Sequence, residues 1–335
     1  MRLRLAAVLT ATALSLIAIV WGMDIGRSVE AVLAYDLAWI MPMVLVLTVV
    51  LVIRTWRFQL LLDHTLAFRA MFPIVVVSFL AVSVMPLRMG ELVRPYLLAE
   101  KHDVPFGTAM AAVVLSRLFD VVALLVLIAA TGWLVDLPEL VAVGEIDLLA
   151  VGQRTLAMSA TVGFAGVVVL GVAGGRVVPL VGRIVGAVSP RFSETVVGLL
   201  EGFVDGLRVL ASNPGRAALA ALSTVAIWSG MVGTVFLAMN GMGGIAATFE
   251  AALLNWTSAI IGTVLFPTPG YLGAFEAPSV VSLMVLGAER EVATAFSLGL
   301  HAILLGHTAV LGVALMAVEG WSLATLVRAS RAGRT

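Results

Sequence analysis

Phe266-Pro-Thr-Pro-Gly-Tyr-Leu-Gly-Ala-Phe-Glu276 interrupts an apolar run that extends over 248–287. Pro removes a helical hydrogen-bond donor and clashes with the preceding turn, and Gly favours a change of direction. Pro267, Pro269, Gly270 and Gly273 therefore break what would otherwise be one long apolar helix. A second stretch, about 70–101, behaves alike: residues 70–86 run apolar to Pro86 and then meet Arg88, Gly90, Glu91, Arg94 and Pro95. Each reads as a re-entrant helical hairpin that descends into a membrane and returns. Such backbone is tolerated at depth only when buried in protein or lining a cavity.

The surrounding chain supports that solvent. Of 335 residues, 61% are hydrophobic and 12% charged, against about 45–50% and about 25% in soluble domains. Such a composition cannot clothe soluble domains, and it excludes a disordered chain. The absence of Cys excludes a disulfide scaffold, and 20 basic residues against 20 acidic ones exclude a nucleic-acid binder. Runs of about 20 apolar residues mark full spans; they fall near 5–23, 37–53, 108–134, 155–175, 217–239 and 292–318. The first is too long for a signal peptide and lacks a cleavage site, so it reads as a retained span.

With the N-terminus in the cytoplasm and six alternating spans, the cytoplasmic loops hold fourteen basic residues: Arg2, Arg4, Arg54, Arg57, Arg69, Lys101, Arg176, Arg183, Arg191, Arg208, Arg216, Arg328, Arg331 and Arg334. Only Arg27, Arg154 and Arg290 fall outside, as the positive-inside rule requires. Both termini are then cytoplasmic, in the inner membrane. The two hairpins come in from opposite sides and restart alike, Pro86-x-x-x-Gly90-Glu91 and Pro269-x-x-x-Gly273-x-x-Glu276. The expected fold is an all-α polytopic membrane protein, a single domain over 1–335, built as an inverted repeat. Residues 193–212 place Phe203, Leu207 and Leu210 on one face and read as an amphipathic helix, lying on the membrane surface or packed as a lid against the bundle.

Six ionisable residues fall at membrane depth: Arg88, Glu91, Arg94, Arg117, Asp120 and Glu276. Each costs about 2.5–3.5 kcal/mol at a helix centre, so they must be paired or hydrated. Helical spacing sets Glu91 between Arg88 and Arg94, and Arg117 beside Asp120. Glu276 has no local cation, which points to Arg88, Arg94 or Arg117 as its partner. Helix N-termini at Gly90 and at Pro269, Gly270 and Gly273, beside arginines, form an anion site for phosphate or carboxylate. The six charges balance, so an anion is admitted when Glu91 or Glu276 takes a proton.

Other constellations carry less. His301 and His307 are wrongly spaced for a metal pair, and no metal or other cofactor is expected. Asn240, Asn255 and Trp256 suit interhelical contacts, and the glycines from Gly163 to Gly175 suit close helix packing. No phosphate-binding loop is present, so no nucleotide is expected, and there is neither G-x-S-x-G nor H-E-x-x-H.

Met85-Pro-Leu-Arg-Met-Gly-Glu-Leu-Val-Arg94, Ser116-Arg-Leu-Phe-Asp120 and Phe266 to Glu276 together resemble the lysylphosphatidylglycerol synthase transmembrane, or flippase-like, family. The resemblance covers about 300 residues. It implies lipid handling, with Arg88, Gly90, Glu91, Arg94, Arg117, Asp120, Gly273 and Glu276 as its site. Tyr271 stands where the family often repeats Gly, and the chain ends at Thr335 without a synthase domain, so lipid aminoacylation does not carry over.

The leading reading is a transporter or flippase for an anionic phospholipid or polyprenyl-phosphate-linked lipid, coupled to protons. An intramembrane lipid-modifying enzyme with Glu91 or Asp120 as base, and a non-transporting regulator of envelope lipid metabolism, are the alternatives. Partners are membrane lipids with phosphate headgroups, with a homo-oligomer or an envelope enzyme left open.

Overall fold

The computed structural model describes residues 24–62, 66–84, 90–136, 142–143, 146–187, 213–266 and 268–322, together with Ser193, Val197 and Val204. The expected span at 5–23, Arg88, Pro86 and nearly all of the expected surface helix at 193–212 lie outside these residues.

The described chain is helical apart from a two-residue antiparallel pairing of Ala142–Val143 with Ile146–Asp147. In order, the helices are α1 (Ile25–Leu33), α2 (Ile40–Leu61), α3 (Phe68–Val84), α4 (Val93–His102), α5 (Phe106–Leu134), α6 (Leu148–Gly186), α7 (Pro214–Asn240), α8 (Phe249–Leu265), α9 (Glu276–Val285) and α10 (Arg290–Val318). Side-chain oxygens satisfy free N–H groups at several starts, as N-caps do. Asp24 accepts from the Arg27 N–H, Asn213 from Arg216 and Thr248 from Ala251. Pro214 occupies the first turn of α7, where no donor is needed.

Four helical stretches among the described residues are long and apolar enough to cross a membrane: Leu37–Leu61, Phe106–Leu134, Pro214–Asn240 and Arg290–Val318. The expected span at 155–175 lies within α6, which bends at Ala173. Large apolar side chains face outward along these helices, among them Leu45, Val121, Val225 and Val310. A water-soluble bundle would cover such a surface, whereas hydrocarbon solvates it. The chain is a multi-pass membrane protein.

One boundary differs from the expectation in a way that matters. The span expected at 37–53 continues as α2 to Leu61, two turns further, and carries Arg54 and Arg57 inside the protein. Arg54 interrupts the apolar run in the sequence. Arg is a good helix former, and Trp56, Phe58, Leu60 and Leu61 resume the apolar face beyond it. These two arginines therefore do not belong with the basic residues expected in cytoplasmic loops.

The two broken stretches form helix–break–helix units. In the first, α3 and α4 are 17 and 10 residues long and lead into the 29-residue α5. In the second, α8 and α9 are again 17 and 10 residues and lead into the 29-residue α10. Contacts follow the same correspondence: α2 packs on α7, α3 on α10 and α8 on α5. The turn Pro269–Tyr271 meets α3, with Gly270 close to the Ser83 carbonyl.

A glycine closes each unit. A Cβ on Gly90 would collide with the Val82 nitrogen and the Ala81 carbonyl carbon. One on Gly262 would collide with the Ala274 carbonyl oxygen. No side chain fits at either place. Asn255 on α8 joins the second unit further, its amide donating to the Ser279 carbonyl, Ser279 Oγ and Ser282 Oγ on α9 at 2.9–3.0 Å.

Candidate functional site

Four arginines converge where α2, α3, α4 and α5 meet. Arg57 is 4% exposed; its Nη2 donates to Asp120 Oδ1 at 2.9 Å and its Nη1 to Thr224 Oγ1 of α7 at 2.9 Å. Arg117, one turn before Asp120, reaches Asp120 Oδ2 at 3.3 Å and Glu91 Oε1 at 3.1 Å. Asp120 is therefore engaged on both oxygens, by cations from two helices. Arg94 is buried, and its Nε and Nη2 donate to Ser78 Oγ at 3.0 and 2.9 Å. Its guanidinium stacks on Phe58 at 4.6 Å and on Phe79 at 5.2 Å. Arg54 stacks on the same Phe79 ring at 4.9 Å. It makes no ion pair or hydrogen bond to another described residue, and its buried Nε has no partner.

A cavity of about 360 Å³ opens beside this cluster. Its charged wall is Arg54, Arg117 and Asp120, and its aromatic wall is Phe79, Trp228, Trp256, Tyr271 and Phe275. A narrow cleft of about 20 Å³, lined by Arg57, Glu91 and Arg94 among others, shares Phe79, Val82, Arg117 and Asp120 with it. Such a concave site, mostly apolar with a few convergent polar groups, is the usual form of a ligand pocket. Guanidinium forks suit phosphate or carboxylate oxygens.

Glu276 stands apart from the cluster. It is 0% exposed; Oε1 lies 2.6 Å from His301 Nδ1 of α10, and Oε2 accepts from the Gly273 N–H at 2.7 Å. The His301 ring stacks on Phe275 at 4.6 Å. The expected arginine partner is thus replaced by a histidine, because α9 and α10 pack together and bring residues 25 apart face to face. Glu276 is also the first residue of α9 and uses its own carboxylate on a free N–H of the break. That helix end is already answered by an anion, so free capacity for a ligand rests with the guanidiniums.

The remaining expected residues divide between site and scaffold. Glu91 pairs with Arg117 and Arg94 turns to Ser78; the expected contact of Glu91 with Arg88 lies outside the described residues. Pro269 opens a single 3₁₀ turn in which Gly270 has φ +62°, and Gly273 has φ +77°. Tyr271 takes φ +57°, a left-handed conformation that bulky residues rarely adopt, and holds its ring at the cavity wall. His307 bonds Thr48 Oγ1 at 3.0 Å. Gly163 sits against Leu125 of α5, as close helix packing requires.

Arg54, Arg57 and His301 are the members the sequence reading left out of the site. The signal for the first two was the apolar residues on both sides of Arg54-x-x-Arg57, which mark a helix still inside the protein. His301 had only its place in an apolar helix.

Comparison with known proteins agrees with the resemblance read from the broken stretches. A curated relative, "Glycosyltransferase AglD" of Haloferax volcanii, is 30% identical over 268 residues. The match covers 74% of this chain and 43% of the relative, so the chain spans less than half of that protein's length. No solved structure matches. The model of the family described as the lysylphosphatidylglycerol synthase TM region matches residues 4–312, nearly the whole chain, and the protein belongs to that family.

Proposed function

We propose that this protein is a lipid transporter that moves an anionic lipid, phospholipid or polyprenyl-phosphate-linked, across the inner membrane. The observation that carries this reading is the arginine cluster beside the 360 Å³ cavity, where four guanidiniums face the two carboxylates of Glu91 and Asp120. Burying such an excess of cations is costly unless an anion answers them. The lipid phosphate approaches Arg54 and Arg117, with Arg94, Gly90 and the 269–273 turn completing its surroundings. Aromatic side chains receive the less polar part of the headgroup.

The paired 17-, 10- and 29-residue helices support an inverted repeat of two re-entrant hairpins within six spans. A single membrane domain over 1–335 with both termini cytoplasmic follows from it. Rocking of one half against the other around a fixed site is the mode of movement such repeats allow. Glu276 and His301 supply a proton-accepting pair next to the moving break, which is the route to proton coupling.

Reconstitution into liposomes with a headgroup-labelled anionic lipid tests the reading. Arg117→Ala should slow translocation roughly ten- to a hundredfold, the effect of losing a charged hydrogen bond. Wild-type rates in this variant would end the proposal. The name of the Haloferax relative favours a second reading, in which this chain is a membrane part serving glycosyl transfer. Recovery of the lipid after transport separates the two, because a transporter leaves it chemically unchanged.

A further inference from the structure

We infer that the site selects headgroups carrying two negative charges, a phosphate monoester or diphosphate, over singly charged phosphodiesters, and rejects headgroups that bear an added cation. The inference rests on the lipid-transport reading and names the class of lipid within it. Arg117 and Arg57 are matched by Asp120 and Glu91 at 2.9–3.3 Å. Arg54 and Arg94 have no carboxylate within ion-pair distance among the described residues. Arg94 meets a neutral hydroxyl, Ser78, and Arg54 stacks on the face of Phe79, with Asp120 on the same cavity wall but beyond ion-pair distance. Both surplus guanidiniums stack on that one ring, at 4.9 and 5.2 Å, so their charges stand together rather than at opposite ends of the protein.

Glu276 does not offset them. It is fully buried apart from the cluster, with one carboxylate oxygen on His301 Nδ1 and the other on the Gly273 N–H. Asp120, the one carboxylate on the cavity wall among the described residues, has both oxygens engaged. A ligand of one negative charge leaves one buried guanidinium unanswered, and a ligand of two leaves none. In a low-dielectric core that difference acts over several ångströms, so direct contact with both arginines is not required. A phosphate monoester carries about −1.5 to −2 at neutral pH and a phosphodiester −1. An aminoacylated diester adds a cation beside Arg54 and Arg117, where like charge is repelled.

The test is calorimetric titration of the detergent-solubilised full chain at about pH 8, above the second phosphate pKa of about 6. The probes are phosphatidic acid, phosphatidylglycerol and lysyl-phosphatidylglycerol with identical short acyl chains, and inorganic phosphate. Phosphatidic acid should bind roughly tenfold or more tightly than phosphatidylglycerol, and the lysyl derivative weakest. Arg54→Gln should bring the first ratio close to one, whereas Arg54→Lys, which keeps the charge, should preserve it. Arg54 bonds no other described residue, so both variants should fold, and their unfolding temperatures check this. Equal binding of the two phosphatidyl lipids, or a ratio unchanged in Arg54→Gln, overturns the inference while leaving lipid transport standing. Inorganic phosphate competing as well as phosphatidic acid keeps the charge selection and overturns the lipid reading. Binding of none of the four overturns both.

Discussion

Asp120 shows how a residue at membrane depth can belong to scaffold and site together. Its two oxygens tie α5 to α2 through Arg57 and hold Arg117 toward Glu91. Removing one partner of a buried pair leaves an uncompensated charge, at about 3–5 kcal/mol. Asp120→Asn should therefore lower the unfolding temperature in detergent clearly, and Asp120→Asn with Arg57→Met should recover part of it. A full additive loss in the double variant would show that the two residues do not act as a pair. Gly90→Ala is expected to fail through backbone contact, since its Cβ would meet Val82 and Ala81. Gly299→Ala meets nothing within 4 Å and should stabilise α10 by roughly 0.5–1 kcal/mol, as alanine does in place of glycine in a helix interior. Thermal unfolding of the two alanine variants side by side separates close approach from helix propensity.

At the scale of elements, α8 and α9 are joined by a few polar contacts because apolar packing distinguishes poorly between protein and lipid. The Asn255 amide spans α8 and α9, and Ser279 passes the connection to Ser297 on α10 at 2.7 Å. Asn255→Leu removes three hydrogen bonds and leaves Ser279 and Ser282 with fewer partners, at about 1–3 kcal/mol. Its expected outcome is faster proteolysis or hydrogen exchange in 249–285 with the amides of α2 unchanged. Uniform loss of protection would place Asn255 in the global core instead. Tyr271 is the element's strained joint. Tyr271→Gly removes the left-handed penalty of about 1–2 kcal/mol, and should hold or raise stability while enlarging the cavity.

For the whole molecule, the absence of native cysteine makes orientation directly measurable. Single cysteines at Lys101 and Asn213 should react with a membrane-impermeant maleimide only from the cytoplasmic side. Cysteines at Arg27 and Glu289 should react only from the outer side. Labelling of Lys101 and Glu289 positions from one side would rule out the opposite orientation of the two hairpins. In the bundle α3 meets α10 while α8 meets α5, the pairing that the proposed inverted repeat would produce.

Composition, period and the positions of Pro and Gly determined the solvent, the helices and both breaks, because hydrocarbon admits few backbone solutions and each leaves a local mark in the chain. They also located Arg94, Arg117, Asp120 and Glu276 inside the protein. What they could not assign was the partner of each charge. Helical spacing at i, i+3 found Arg117 with Asp120, and missed Arg57 with Asp120, 63 residues apart, and Glu276 with His301. Those pairings arise from which helices pack together, and that is a property of the assembled bundle. The apparent neutrality of six buried charges gave way to a surplus of guanidiniums for the same reason: only tertiary structure decided that Arg54 and Arg57 lie within the fold.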